Sequence, residues 1–165
     1  QPDCSDCPLR PECRAAQQNR VNEFPVRIKK PAKKHRYFLY VFVRQGNETL
    51  IKKRAGKDIW RGLYEFPMLE VETPAELQSD TLEHRFFKSG LPPGALWGKV
   101  SKHFRQILTH QLIVAVFIEL HLPLETNASF FENLLFEGAF KVPQIDVKKN
   151  FAFPRLIVCF FDENG

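Results

Sequence analysis

Trp60-Arg61-Gly62-Leu63-Tyr64-Glu65-Phe66-Pro67, running on through Glu72-Thr73-Pro74, is an apolar segment stopped by proline and followed by a helix start. Thr73 has the side chain of an N-cap, Pro74 suits the first helical position, and Glu76 stands where a capping box needs an acid. Leu77, Leu82 and Phe86 can then face inward, with Gly90 as the stop. Upstream, Tyr37 to Val43 is aromatic and β-branched, hence a strand; Gln45-Gly46-Asn47-Glu48 turns it into a second strand, Thr49 to Arg54, which predicts a hairpin. Downstream, Leu91 to Gly98 reads as a Pro/Gly loop and Gln111 to Leu122 as the longest strand. Leu112, Val114, Val116, Ile118 and Leu120 fall on one side of it, and Ile113, Ala115 and Phe117 on the other. Two apolar faces predict a central position. Ser129 and Glu132 offer a second capping box, and a terminal helix from about Pro154 turns Leu156, Ile157 and Phe160 inward. This order predicts an α+β domain over residues 37–165, a mixed β-sheet flanked by helices, behind an extended N-terminal arm.

The 165 residues suffice for one domain with a substantial core, and sixteen Phe against one Met predict an aromatic interior. The apolar stretches are too short to span a bilayer, so no membrane partner is expected. Reduced cysteines and no targeting sequence make the cytoplasm the expected compartment, and a monomer is the default. Charge is unevenly placed. Arg20, Arg27, Lys29, Lys30, Lys33, Lys34 and Arg36 stand against the single acid Glu23, so residues 20–36 carry +6 where the whole chain carries +5. Pro25 and Pro31 keep the stretch extended, as in a basic interdomain linker.

Cys4, Cys7 and Cys13 are separated by two and five residues, a spacing expected to bring three thiolates around one point. A zinc ion and an iron–sulfur cluster both usually take four ligands, and the nearest histidine is His35. The spacing leaves iron–sulfur, zinc and no metal all open. A disulfide is a poor reading, because no secretory signal precedes these residues and Cys159 lies in an apolar run that reads as core.

With Cys7-Pro8-Leu9 inside it, the cysteine run resembles the last three ligands of the [4Fe–4S] loop of the MutY family of adenine DNA glycosylases. Ile51-Lys52-Lys53-Arg54, the segment from Trp60 to Pro67, and Phe151-Ala152-Phe153-Pro154-Arg155 resemble the same family. The resemblance implies that residues 1–19 are the tail of a glycosylase domain's cluster loop and that the first ligand precedes Gln1. It also implies that the cluster of the full-length protein is absent or unstable in this chain. Residues 20–36 then become the linker whose charges line a phosphate backbone, and 37–165 a Nudix-like C-terminal domain.

Nudix hydrolases such as MutT follow a similar Trp-Glu-Phe-Pro segment with two glycines and a helix whose glutamates hold magnesium. Here Met68 and Leu69 take the glycine places, Asp80 and Thr81 stand for an Arg-Glu pair, and His84 and Arg85 for the paired glutamates; Glu83 alone remains close by. Hydrolysis of a diphosphate is therefore not expected. The alternative, a divergent Nudix hydrolase of oxidised nucleoside triphosphates, would require that cation site. A small metal-stabilised nucleic-acid binding module is the third class.

The family recognises 8-oxoguanine opposite adenine through a loop bearing Phe-Ser-His or Phe-Thr-His. The matching residues are Leu108 as the apolar wedge, Thr109 as hydroxyl donor and acceptor, and His110 as the imidazole. Oxidation turns the N7 of guanine from acceptor to donor and adds a carbonyl at C8, a change that a hydroxyl of either polarity can sense. Lys99, Lys102, His103 and Arg105 immediately upstream, with Lys33 and Lys34 from the linker, complete the expected DNA-facing set. Gln106 stands where the family often has a histidine. The expected partner is double-stranded DNA carrying an 8-oxoguanine:adenine mispair. The residues that break the glycosidic bond match nothing in this chain, so it is expected to excise no adenine by itself.

Overall fold

In a computed structural model that describes residues 3–24, 26, 32–87 and 90–164, the chain divides after Ala32 into two units. The first holds a 3-10 turn at Arg10–Glu12, a single helical turn α1 (Arg14–Gln17) and a second 3-10 turn at Val21–Glu23. Gln17 Nε2 donates to Pro11 O at 2.7 Å, and Arg20 pairs with Glu23 at 2.7 Å. Pro25, Arg27, Lys29, Lys30 and Pro31 of the expected linker lie outside the described residues.

The second unit is built from strands β1 (Lys34–Arg44), β2 (Glu48–Lys53), β3 (Tyr64–Glu65), β4 (Met68–Val71), β5 (Leu96–Val100), β6 (Phe104–Ile107), β7 (Gln111–His121) and β8 (Ala139–Pro143), with helices α2 (Ser79–Phe86), α3 (Gln144–Asn150) and α4 (Arg155–Asn164). One sheet runs β4-β1-β7-β5, with β6 also paired to β7, and a second runs β3-β2-β8. β1 and β7 are parallel, from Lys34 opposite Gln111 to Arg44 opposite His121, while β4, β5 and β6 are antiparallel to their neighbours. β7 is central and buried on both faces, as its two apolar sides require. On one side Val114, Val116, Ile118 and Leu120 pack with Leu39, Val41 and Leu82. On the other, Ile113, Ala115 and Phe117 meet an aromatic core in which Phe117 stacks on Phe160 at 4.1 Å and on Tyr40 at 5.0 Å.

Four expectations change. The turn after β1 forms, with a bridge between Gln45 and Glu48, but β2 leaves for the second sheet instead of making a hairpin. Both edges of β1 are already taken, by β4 and β7. The capping box is present: the Glu76 carboxylate accepts from the Thr73 N–H at 3.1 Å and from its hydroxyl at 2.9 Å. It opens only a 3-10 turn, Pro74–Glu76, after which Gln78 is extended and α2 starts afresh. Leu77 and Leu82 lie about 140° apart on a continuous helix, and the break lets both reach the core. Phe87 is buried in place of half-buried Phe86. The caps near residue 130 are Asn127 and Asn133, which accept from the N–H groups of Ser129 and Leu135, not Ser129 itself. Finally, the Pro/Gly loop ends at Leu96, where β5 begins, and Arg105 lies in β6 rather than in a loop.

Candidate nucleic-acid interface

β6 and β7 form an antiparallel hairpin, with Phe104 opposite Ala115 and Ile107 opposite Leu112. The Leu108 N–H donates to Gln111 O at 2.8 Å, which leaves Thr109 and His110 as a two-residue tip, both exposed. Parallel pairing of β1 with β7 brings the start of β1 beside that tip. The Lys34 N–H donates to His110 O at 3.0 Å, and Lys33 Nζ donates to Leu108 O at 2.8 Å. Leu108, Thr109, His110, Lys33 and Lys34, predicted separately, are thus brought together, with their tip carbonyls held from β1. Arg105 is exposed on β6. Lys102 is exposed too and pairs with Glu163 at 2.8 Å, a surface contact that competes weakly with other anions.

Strand alternation redistributes the apolar roles at this hairpin. Phe104 and Leu108 turn toward the aromatic core, Leu108 half-buried against it, so the side chain left outside is Ile107, 70% exposed. Gln106 points toward α4, where its side-chain oxygen accepts from the Leu156 N–H at 3.2 Å and fixes the start of that helix against the hairpin. Cys159 is half-buried at the margin of the same core.

Arg36 is not a linker charge. Its buried guanidinium donates to both oxygens of Asp58 at 2.7 and 2.8 Å, to both oxygens of Glu70 at 2.6 and 2.7 Å, and to Gln111 Oε1 at 3.3 Å, over the Phe38 ring. It therefore ties β1, β4, the loop before Trp60 and the first residue after the hairpin tip into one piece, and is unavailable to phosphate. Arg54 extends the network, pairing with Asp58 at 3.0 Å and with Glu65. The hydrogen bonds from Arg36 lower the Asp58 carboxyl to about 2 against the opposing effect of burial. Glu65 moves the other way, upward, because desolvation outweighs Arg54. Burial likewise raises the Tyr40 hydroxyl, helped by the nearby Glu65 charge. Asp58 and Glu70 were not singled out from sequence, because they lie 22 and 34 residues from Arg36 along the chain.

Two acids of the helix region are engaged in structure. Glu83 accepts from the Trp97 indole N–H, and Glu76 pairs with Arg85 at 3.0 Å besides capping its turn. Among the described residues, no three His, Cys, Asp or Glu side chains gather in a way that could hold a metal ion. Cys4, Cys7 and Cys13 are half-buried in the first unit, on either side of the Arg10–Glu12 turn. No helix among the described residues is long and apolar enough to cross a membrane.

A mixed five-stranded sheet and an antiparallel three-stranded one, with helices at their flanks, define a Nudix-like fold, and solved structures agree. The chain is similar to the MutT protein of Methanosarcina mazei Go1, at 14% identity over 79% of this chain and 93% of that one, TM-score 0.53. It is similar to the C-terminal domain of mouse MUTYH, solved in complex with human PCNA, at 19% identity over 78% and 89% of the two chains, TM-score 0.52. No family model matches the sequence, and no curated protein matches it.

Proposed function

We propose that the second unit is the damage-reading domain of an adenine DNA glycosylase, recognising 8-oxoguanine paired with adenine in base excision repair. The observation that carries this reading is the hairpin tip. Thr109 and His110 are exposed at its end, held from behind by Lys33 and Lys34 and flanked by Arg105. A hydroxyl and an imidazole fixed on a strand hairpin can test the hydrogen-bonding edge of a base, while the cations hold phosphate. The likeness to the mouse MUTYH domain supports it through the fold, and the MutY-like runs from Trp60 to Pro67 and from Phe151 to Arg155 support it through sequence.

Against the hydrolase alternative, Glu83 and Glu76 near α2 are already taken, the first by Trp97 and the second by Arg85 and Thr73. The glycosidic bond would be broken elsewhere, in a domain not represented in these residues. The three cysteines would serve as three of four cluster ligands only where another residue supplies the fourth. Binding a damaged partner base helps to offset the unstacking needed to extrude the adenine. The test is titration of a duplex containing 8-oxoguanine opposite adenine with the wild-type chain and with Thr109→Ala/His110→Ala. The double variant is expected to bind this duplex and its undamaged counterpart alike. A double variant that keeps the wild-type preference would refute the reading.

A further inference from the structure

The free edge of β6 faces a groove that the reading of the hairpin does not use. The groove has a volume of about 610 Å³ and lies between β6 and α4, lined among others by Lys102, His103, Arg105, Ile107, Arg155 and Cys159. Three features of it converge on one ligand chemistry.

The first is charge. Arg105, on β6, and Arg155, at the start of α4, are both exposed and have no acidic partner among the described residues. Glu163 is the acid in the lining, and it is already matched by Lys102 at 2.8 Å. The second is backbone polarity. The bond from the Leu108 N–H to Gln111 O sets the hairpin's alternation, so Phe104, Gln106 and Leu108 direct their amides toward β7. Arg105 and Ile107 then direct theirs off the free edge, toward the groove. The third is rigidity: the Gln106 side chain bonds the Leu156 N–H at 3.2 Å, holding the start of α4 at a fixed distance from β6.

We infer that this groove is an anion track that takes the phosphodiester backbone of the nucleic-acid strand next to the base tested by Thr109 and His110. Outward amide N–H groups and two unpaired guanidinium groups suit phosphate oxygens, since guanidinium donates two parallel bonds to such a group. An extended peptide pairing with the same strand edge is the competing occupant. The two free arginines favour the polyanion. This inference rests on the nucleic-acid reading of the hairpin, and deepens it by separating a sequence-blind track from the base-reading tip.

The experiment measures duplex affinity of the whole chain across a salt series, for the duplex with 8-oxoguanine opposite adenine and for the undamaged one. Arg105→Gln and Arg155→Gln are each expected to weaken both duplexes by the same factor. Each should also flatten the plot of log affinity against log salt by about 0.9, one phosphate contact, with the preference for the damaged duplex intact. Alkylation followed peptide by peptide gives a second readout: duplex should protect Cys159, and Arg155→Gln should remove that protection. Unchanged salt slopes and an unprotected Cys159, with the damage preference present, would overturn the track and leave the hairpin reading standing. Lowered slopes in the two variants, with a wild-type chain that binds both duplexes alike, would sink the hairpin reading and leave the track. Displacement of bound duplex from Cys159 by an acidic peptide, with no salt-slope change in either variant, would assign the groove to a peptide and overturn the proposal.

Discussion

At the scale of single residues, the hairpin and the clamp beneath it divide the labour of recognition and support. Thr109 and His110 carry polar groups outward, whereas Arg36 joins Asp58, Glu70 and Gln111 below them. Lys at position 36 cannot serve two carboxylates with paired bonds, so Arg36→Lys should lower stability by about 1–2 kcal/mol in chemical denaturation. The clamp also has an acid signature. Asp58 is lowered to about 2 in the folded chain, so its contribution is complete above the ordinary carboxylate range and is lost as pH falls from about 4 toward 2. Because Asp58 is more than a third exposed, that contribution is on the order of 1 kcal/mol after solvent screening. Glu65, raised by burial, has the opposite sign: protonation relieves its desolvation, so its contribution grows as pH falls. Asp58→Asn should therefore flatten the loss of melting temperature between pH 4 and pH 2 that the wild type shows, and a variant with the full wild-type acid slope would contradict this assignment. Arg36 was read among linker cations because it follows Lys33 and Lys34 in sequence. Nothing local distinguishes a clamped arginine from a solvated one when its acids sit 22 and 34 residues away.

At the scale of elements, β7 and α4 were legible because long apolar patterns specify both period and burial, as Ile113, Ala115 and Phe117 on one face and Leu156, Ile157 and Phe160 on α4 do. The short strands β3, β4 and β8 and the helix α3 were not, since runs of two to seven residues carry too little periodicity. The β6–β7 hairpin was legible only in part. Its residues were found by the family match, which made Leu108 the apolar wedge; strand alternation, which that match does not use, leaves Leu108 half-buried and Ile107 exposed. Ile107→Ser should accordingly weaken binding to duplex more than Leu108→Val does, measured on proteins of equal melting temperature. Between hairpin and helix, Gln106 is the pin. Gln106→Ala should speed amide exchange at Leu156 and cost about 1 kcal/mol, with the rest of α4 holding through its aromatic packing. That packing centres on Phe66, fully buried and in contact with the rings of Phe42, Phe117, Phe153, Phe160 and Phe161. Phe66→Ala should lower unfolding stability by about 3–5 kcal/mol.

At the scale of the whole molecule, the second unit has a Nudix-like frame in which Glu83 and Glu76 are engaged, and no three His, Cys, Asp or Glu among the described residues gather to hold a metal ion. What it presents instead is a polar hairpin tip with cations on two sides. The chain should accordingly release no pyrophosphate from 8-oxo-dGTP with magnesium and excise no adenine from a mispaired duplex, both followed by product chromatography. The measurement that bears most directly on this account is competition between two duplexes that differ only by the oxidation of one guanine opposite adenine, for binding to the wild-type chain at a single salt concentration. Preferential occupancy of the oxidised duplex is the predicted result. Equal occupancy, with the chain folded and bound to both, would contradict it.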